Sequence, residues 1–443
     1  MGALDAPGSW QMLRRRTKIS QFLAFGVIFS AISTTSAGIE ASALDEIYIC
    51  SADPEAGQSP AATADEKPPF LSQPPKPAEP PKAAEPPKTA EPSATKPGPN
   101  NIYAGIAPDR LNTDLKDLPR RVYVPHVASS QVFVIDAVSR QVIDRFNVGL
   151  HPHHIVVSWD LKTLWVTSAA ERTAHGSVTP IDSATGKPGA PIPVDDPYNM
   201  YFLPDGSSAI VVAEAFKRLD FRDPHTMAPQ YSIEAPQCNG INHADFAPDG
   251  SYAIFTCEFD GTLAKIDLRA RTVAGYLKLS TGEIPQDIRL SPDGSLFYVA
   301  DMKAGGVFTV DGNAFKETGF IPTQVGAHGL YPSRDGTKLF VANRGSSRPR
   351  APRGGPGSVS VIDFATNKVE QTWWIPNGGS PDMGAISDNG TQLWLSGRFD
   401  NEVYIIDTAT GATSRIPVGR EPHGLTFWPQ PGRYSLGHTS NMR

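Results

Sequence analysis

A short phrase recurs seven times in this chain, and it restricts the fold more than any other feature. Each copy contains a tight turn such as PDG, in which Asp supplies a local hydrogen bond and Gly the positive φ of a hairpin. A slot eight residues before each turn recurs at intervals of roughly 41 to 54 residues, about the length of one four-stranded propeller blade. The slot residues are His153, Tyr198, Asn242, Gln286, His328, Asp382 and His423.

Each copy of the phrase belongs to a longer unit of four predicted strands. The second strand of the unit ends in YVPH, WVTS, VVAE, FTCE, YVAD, FVAN or WLSG, and the third ends in a sequence such as VID. Residues 121–149 supply a unit without its first strand, and the segment after His423 supplies a first strand alone. Pairing these two ends removes an exposed sheet edge. The sequence therefore predicts an all-β, seven-bladed propeller over residues 121–443, closed by its terminal strands, with a lead-in at 101–120.

The strand endings YVPH, YVAD and FVAN resemble those of the YVTN-repeat β-propellers. The resemblance covers the chain from about Arg121 to the C-terminus. That family lies among lactonase-like propellers and the propeller heavy chains of quinoprotein amine dehydrogenases. The resemblance implies a propeller fold and an exported protein more firmly than it implies a reaction, because one fold supports many functions.

The first 43 residues are expected to be an export signal. The basic residues 14–16 precede the apolar run ISQFLAFGVIFSAIS, and the small residues ASA follow at 41–43, as in a cleaved signal peptide. Met12 is an alternative start. The apolar run is shorter than the roughly 20 residues that span a bilayer, so a membrane anchor through an uncleaved signal is the less favoured reading.

Residues 44–100 are expected to form a disordered tether. This segment repeats itself as PPKPAEPPKAAEPPKTAEP, and proline fixes φ and supplies no N–H for a sheet. Such a chain extends as a spacer rather than building a core. We therefore expect an exported protein that is periplasmic, cell-wall-associated or extracellular.

Charge and cysteine content restrict the partners. The formal net charge of −6 argues against wholesale binding to nucleic acid or to an anionic membrane, because such partners need a basic surface. Three cysteines allow one internal bridge and one remaining thiol. Cys238 and Cys257 are predicted to form it, because the register of their blade brings them to one face, while Cys50 has no expected partner. The alternative makes both thiolates metal ligands with His243.

Two sets of side chains are predicted to meet at one mouth of the central channel, because the first strand of a blade begins where the second ends. One set is the slot. The other, the strand-end set, comprises His126, Ser168, Glu214, Glu258, Asp301, Asn343 and Gly397. Carboxylates and arginines occupy different sectors of this predicted mouth, which suits a ligand with two unlike ends. The ligand-binding candidates are the seven slot residues with His126, Arg344 and Arg398. The alternative is a wet channel mouth whose polar groups only tie the blades together.

A divalent metal ion is the one cofactor that these residues suggest. Glu214, Glu258 and Asp301 come from successive blades and would repel one another without a cation between them, and His243 could be a further ligand. The arginine-rich segment RGSSRPRAPRGGPG from Arg344 is predicted on the same face, where it could hold an anion or remain solvated. No G-x-S-x-G elbow, P-loop or haem-attachment motif is present.

Three functions fit these features. The first is an exported, tethered propeller that binds a small molecule or a partner protein at the channel mouth. The second is a metal-assisted, lactonase-like hydrolase, in which the metal would activate water or polarise a carbonyl. The third is the propeller subunit of a periplasmic redox complex, whose cofactor a partner would carry. The sequence leaves open whether the protein is an enzyme.

Overall fold

The fold is a ring of seven four-stranded antiparallel sheets. We describe it from a computed structural model, which covers residues 101–170, 175–350, 354–437 and 441–443. The predicted signal peptide, the predicted tether and Cys50 therefore lie outside the described residues. The all-β, seven-bladed prediction is confirmed, since the short helices of the described residues are three 3-10 turns, at Ala104–Ile106, Pro108–Arg110 and Glu214–Phe216. None of the described residues forms a helix with the length and apolar character of a membrane span.

The strands follow the chain blade by blade. Blade 1 contains β1 (Arg121–His126), β2 (Gln131–Asp136) and β3 (Gln141–Asn147); blade 2 contains β4 (Pro152–Val157), β5 (Thr163–Ser168), β6 (Gly176–Asp182) and β7 (Ile192–Val194); blade 3 contains β8 (Pro197–Phe202), β9 (Ala209–Ala213), β10 (Arg218–Arg222) and β11 (Pro229–Glu234). Blade 4 contains β12 (Ile241–Phe246), β13 (Tyr252–Cys257), β14 (Thr262–Asp267) and β15 (Thr272–Lys278); blade 5 contains β16 (Pro285–Leu290), β17 (Leu296–Asp301), β18 (Gly306–Asp311) and β19 (Lys316–Pro322). Blade 6 contains β20 (Ala327–Pro332), β21 (Lys338–Asn343), β22 (Ser358–Asp363) and β23 (Lys368–Trp374); blade 7 contains β24 (Pro381–Ile386), β25 (Gln392–Gly397), β26 (Glu402–Asp407) and β27 (Thr413–Pro417).

The last strand closes the ring. Strand β28 (Thr426–Trp428) pairs antiparallel with β1, and Arg121, Val122 and Tyr123 lie opposite Trp428, Phe427 and Thr426. It thereby becomes the innermost strand of blade 1. This pairing is the closure that the sequence predicts, and it leaves blade 1 with no open inner edge.

The apolar core lies between neighbouring blades rather than within any one of them. Every residue of the inner strands β8 and β12 is buried, whereas the outer strand β3 is almost wholly exposed. The cluster between blades 3 and 4 illustrates the packing, since Tyr201 and Phe221 contact the same core as Phe246 and Phe255. A strand buried on both faces has room for polar side chains chiefly at its ends, and this places the candidate site at the strand ends.

The lead-in and the C-terminal tail cover the far ends of the inner strands. The Tyr103 hydroxyl donates to the Leu290 carbonyl over 2.7 Å, and the Arg443 guanidinium donates to Asp245 Oδ1 over 2.5 Å. Leu290 and Asp245 lie at the ends of β16 and β12 that are remote from the slot. These segments therefore occupy the face opposite the slot residues.

A disulfide joins Cys238 to Cys257, as the sequence predicts. Their Cα atoms are 4.9 Å apart, because Cys257 ends β13 beside the start of β12, where it lies opposite Ile241. The alternative with two thiolate metal ligands is wrong, since the sulfurs are bonded to each other.

We expect the disulfide to stabilise the fold through its loop of 19 residues. By the chain-entropy model, replacing both Cys238 and Cys257 by Ala should lower the free energy of unfolding by about 3 kcal/mol. Urea denaturation measures the change, and intact-mass analysis after alkylation, with and without reductant, reports the bond. Two alkylated thiols at these positions in unreduced protein from the native cells would contradict the assignment.

Candidate functional site

Six of the seven slot residues lie in β-bulges at the start of the inner strands, and the seventh, His423, precedes β28. In β4 the register shifts between Pro152 and Ile155, so His153 and His154 together lie opposite Thr167. Shifts at the corresponding place occur in β8, β12, β16, β20 and β24. A bulge releases residues from the ladder and re-aims their side chains. The slot side chains can therefore turn toward the channel axis.

A cavity of about 220 Å³ opens at this mouth of the channel. Its walls combine four carboxylates, two guanidinium groups and several aromatic rings. It is lined by Val127, His153, Ala169, Asp196, Tyr198, Glu214, Glu258, Phe259, Pro349, Arg350, Arg398, Phe399 and Glu421. Five predicted site residues thus contribute to one cavity: His153, Tyr198, Glu214, Glu258 and Arg398.

The predicted strand-end set is out of register by one residue in two blades. Ala213 and Cys257 end β9 and β13, where they lie opposite Pro197 and Ile241. Glu214 and Glu258 therefore follow the strand end, as Arg344 and Arg398 do after β21 and β25. The residue after the strand end lines the mouth in most blades: Val127, Ala169, Glu214, Glu258 and Arg398 all contact the cavity.

Three residues that do end second strands, Asp301, Asn343 and His126, make contacts within the blades and do not border the cavity. The Asp301 carboxylate accepts backbone N–H groups of Glu283 and Ile284 through Oδ2 and of Lys303 and Ala304 through Oδ1. The Asn343 amide nitrogen donates to the hydroxyls of Ser358 and Ser360. His126 is fully buried, with its ring centroid 4.4 Å from that of Phe133. None of the three borders the cavity.

The four metal candidates do not form one ligand set. Asp301 is engaged by backbone N–H groups, and the His243 ring nitrogen Nδ1 lies 3.1 Å from the Asn199 amide. Among the described residues, no group of three or more His, Cys, Asp or Glu side chains is arranged to hold a metal ion. The expectation that Glu214, Glu258 and Asp301 converge on one point is wrong because Asp301 belongs to a different register position.

Asp382 is the electrostatic centre of the channel. It is fully buried, and its Oδ1 lies 2.7 Å from Arg344 Nη2 and 3.0 Å from His328 Nδ1. Its Oδ2 accepts from His423 Nδ1 over 3.0 Å, with Arg398 Nη1 3.8 Å away. Burial alone would raise the pKa of this carboxyl, but the Arg344 charge and the hydrogen bond from His423 hold it well below its usual range.

The contacts of Arg344 fix the protonation of its neighbours. Arg344 Nη2 lies 2.7 Å from His328 Nε2, and a guanidinium can only donate, so His328 Nε2 accepts and the ring is neutral with its proton on Nδ1. Burial and the Arg344 charge lower the pKa of His328 well below its usual value, in agreement with this tautomer. Burial also lowers the pKa of His423 to about 4.

Arg344 also positions the arginine-rich segment. Its Nη1 donates to the Pro349 carbonyl over 2.7 Å, and Pro349 and Arg350 form part of the cavity wall. Residues 351–353 lie outside the described part of the chain. One guanidinium therefore links the carboxylate at the centre of the channel to the loop that borders the mouth.

Glu258 has a different environment. It is 5% exposed, and its Oε2 accepts from the Asn242 amide over 2.8 Å. Burial raises the pKa of Glu258, against the opposing effects of the Gln286 hydrogen bond and the Arg344 charge. This carboxylate is thus desolvated with neutral amides as its hydrogen-bond donors.

Some cavity residues were not predicted. Asp196, Phe259, Phe399 and Glu421 border the mouth but lie in the connections before or after the strands. Phe259 and Phe399 directly follow Glu258 and Arg398, so a correct register would have indicated both. Asp196 and Glu421 precede the slot by two residues in blades 3 and 1, a position that the repeat leaves variable.

The fold and the site define a class of protein: a seven-bladed β-propeller with a polar cavity at one mouth of its channel. The chain belongs to the YNCE-like beta-propeller family, whose model matches residues 119–431. No curated protein matches the sequence significantly.

Solved structures share the fold at low sequence identity. A candidate 6-phosphogluconolactonase from Bacteroides uniformis is 16% identical, with a TM-score of 0.56 over 70% of this chain and 99% of that one. Hydrazine synthase of Kuenenia stuttgartiensis is 18% identical, with a TM-score of 0.50 over 62% of this chain and 90% of that one. The dihydro-heme d1 dehydrogenase NirN, in complex with DHE, is 14% identical, with a TM-score of 0.51 over 77% and 83%. Likeness at this level shows the fold alone.

We expect Asp382→Asn to destabilise the protein strongly. The change leaves Arg344, which is 1% exposed, without its close countercharge, and breaking a buried pair costs about 3 to 5 kcal/mol. Asp388→Asn is the matched control, since the Arg120–Asp388 pair is partly exposed and should contribute less than about 1 kcal/mol. Urea denaturation at neutral pH compares the two variants. Equal losses would show that Asp382 is not the centre of the network.

We expect Glu258→Gln to have the opposite effect. Because the folded-state pKa of Glu258 is raised above its usual value of 4.5, ionising it costs folding free energy once the pH exceeds that value. The variant should therefore match the wild type below about pH 4 and unfold at higher urea at pH 7. Denaturation curves at both pH values test this. A variant less stable than the wild type at pH 7 would identify Glu258 as a tie between blades.

Proposed function

We propose that the protein is an exported propeller that binds a small polar molecule in the cavity at its channel mouth. The observation that carries the proposal is the composition of the cavity, in which Glu214 and Glu258 face the same space as Arg350 and Arg398. Ligand sites are concave and contain a few convergent polar groups, and charged side chains are rarely buried unless they are paired.

The small volume of the cavity favours a small molecule over a partner protein. Protein interfaces extend over roughly 800 Å² on each partner. The charged side chains of this site instead surround a cavity of about 220 Å³. A water molecule occupies roughly 30 Å³ in the liquid, so the cavity has the volume of about seven waters. A partner protein remains an outcome that the experiment below can detect.

The export part of the proposal rests on the sequence and the disulfide. The signal and the tether precede the described residues, and the Cys238–Cys257 bond is of a kind that persists in oxidising compartments. The lactonase-like alternative is not favoured, because its metal ligands are not assembled among the described residues. No contact among the described residues supports the alternative of a propeller subunit in a redox complex.

A variant that fills the cavity tests the proposal. Ala169 lies in the cavity wall and is 5% exposed, so Ala169→Phe should place a ring in the binding space. In a thermal-shift screen against a library of polar metabolites, we expect compounds that raise the melting temperature of the wild type and not that of the variant. Ala409→Phe, on an exposed turn, is the matched control and should keep the shifts.

Two outcomes would count against the proposal. Shifts that persist in Ala169→Phe would place binding elsewhere, and a library without any effect on the wild type would remove the support for a small-molecule site. Co-purification of one defined protein from native cells, lost in Ala169→Phe and kept in Ala409→Phe, would point to a protein ligand instead.

A further inference from the structure

The charges of the cavity are separated across the channel axis. Glu214 and Glu258 follow the second strands of blades 3 and 4, and Arg398 follows the second strand of blade 7. Arg350 belongs to the segment inserted in blade 6. In a ring of seven, blades 3 and 4 lie across the axis from blades 6 and 7. The cavity therefore has an acidic wall, formed by Glu214 and Glu258, and a basic wall, formed by Arg350 and Arg398. Asp196 lies beside the acidic wall, and Glu421 is the one carboxylate on the basic side among the cavity residues.

The acidic side holds hydrogen-bond acceptors that lack donors. The Asn242 amide nitrogen is committed to Glu258, and its Oδ1 is buried without a hydrogen-bond partner among the described residues. Asn242 itself is fully buried. A buried acceptor of this kind is unfavourable until a donor reaches it. Glu258, which lines the cavity, therefore favours a group with N–H donors and a positive charge, while Asn242 holds Glu258 in place from outside the cavity wall.

The basic side holds donors that lack acceptors. Arg344 and Arg398 share the single carboxylate of Asp382, at 2.7 and 3.8 Å, and His328 is neutral. Both arginines have a buried Nε without a hydrogen-bond partner among the described residues, and of the two only Arg398 lines the cavity. With Arg350 and Glu421 included, three guanidinium groups face the two carboxylates of Asp382 and Glu421, which leaves a positive surplus on this side. A bidentate anion such as a carboxylate matches this arrangement.

We propose that the ligand is a small zwitterion, with an ammonium group at the acidic wall and a carboxylate at the basic wall. The inference rests on the proposed function and specifies the chemistry of its ligand. A simple amine would leave the basic wall uncompensated, and a simple carboxylate would bring a negative charge into the cavity that also contains Glu258. Water can satisfy the single hydrogen bonds but cannot neutralise two separated charges. The volume of the cavity restricts the ligand to amino acids of modest size.

Matched probes test the proposal by calorimetry on the full chain. The zwitterions are glycine, β-alanine and γ-aminobutyrate. Each is compared with the amine and the carboxylate that lack one of its groups: methylamine and acetate, ethylamine and propanoate, propylamine and butanoate. We expect at least one zwitterion to bind tenfold or more tightly than both of its analogues.

Variants assign each end of the ligand. Glu258→Gln should reduce the affinity for the zwitterion to that for its carboxylate analogue, and Arg398→Gln should reduce it to that for its amine analogue. Glu214→Gln and Arg350→Gln repeat the test on each wall if a first variant fails to fold. Glu234→Gln and Arg145→Gln, both at exposed positions, should change nothing.

The possible failures are distinct. If no zwitterion exceeds both of its analogues, or none binds, the inference is overturned, while compounds found in the library screen and lost in Ala169→Phe would still support the proposed function. If the two walls respond alike, so that Arg398→Gln and Glu258→Gln weaken amine and carboxylate equally, the assignment of the ends is overturned.

Discussion

The pairing of β28 with β1 is the constraint on which the rest of the molecule depends. It joins the two ends of the repeat by three residue pairs and gives blade 1 the same four-stranded order as the other blades. Because the core lies between blades, each blade needs a neighbour on both sides. Strand β28 supplies the inner strand with which blade 1 contacts blades 7 and 2, and it thereby closes the ring.

Inside the central channel, the carboxylate of Asp382 organises the charged and imidazole side chains of the neighbouring blades. Asp382 contacts side chains from blades 6 and 1, through Arg344, His328 and His423. Arg344 in turn contacts the Pro349 carbonyl. The network keeps both imidazoles neutral and concentrates the positive charge on arginines. The wall opposite carries desolvated carboxylates, so the electrostatic asymmetry of the mouth follows from which blade supplies which residue.

The sequence indicated the architecture well because each copy of the repeat corresponds to the successive strands of one blade. The spacing predicted seven blades, and the unmatched segments at 121–149 and after His423 predicted the closure. Six of the slot residues lie at the second position of an inner strand, since turn and slot are a fixed distance apart, whereas His423 lies three residues before β28. The disulfide followed from the same register.

The strand-end set was harder to predict. Cys257 ends β13 and Ala213 ends β9, but neither resembles the polar endings of the other blades, so Glu258 and Glu214 were aligned with Asp301 and Asn343. An error of one residue in an extended strand moves a side chain to the other face. The local turn accounts only for the Lys303 and Ala304 N–H groups on Asp301 Oδ1, and no local pattern reveals that Oδ2 is engaged by Glu283 and Ile284, which lie 18 and 17 residues earlier.

The bulges at the slots have a consequence for how such a protein can change over evolutionary time. A residue in the ladder of an inner strand must fit two neighbouring blades, but a residue in the bulge is released from that requirement. Blades 2 to 7 thus each offer a position that can change without altering the pairing of the sheet, unless the residue is held by ion pairs of its own, as Asp382 is. At the other slots, recognition can be rewritten one blade at a time on an unchanged scaffold.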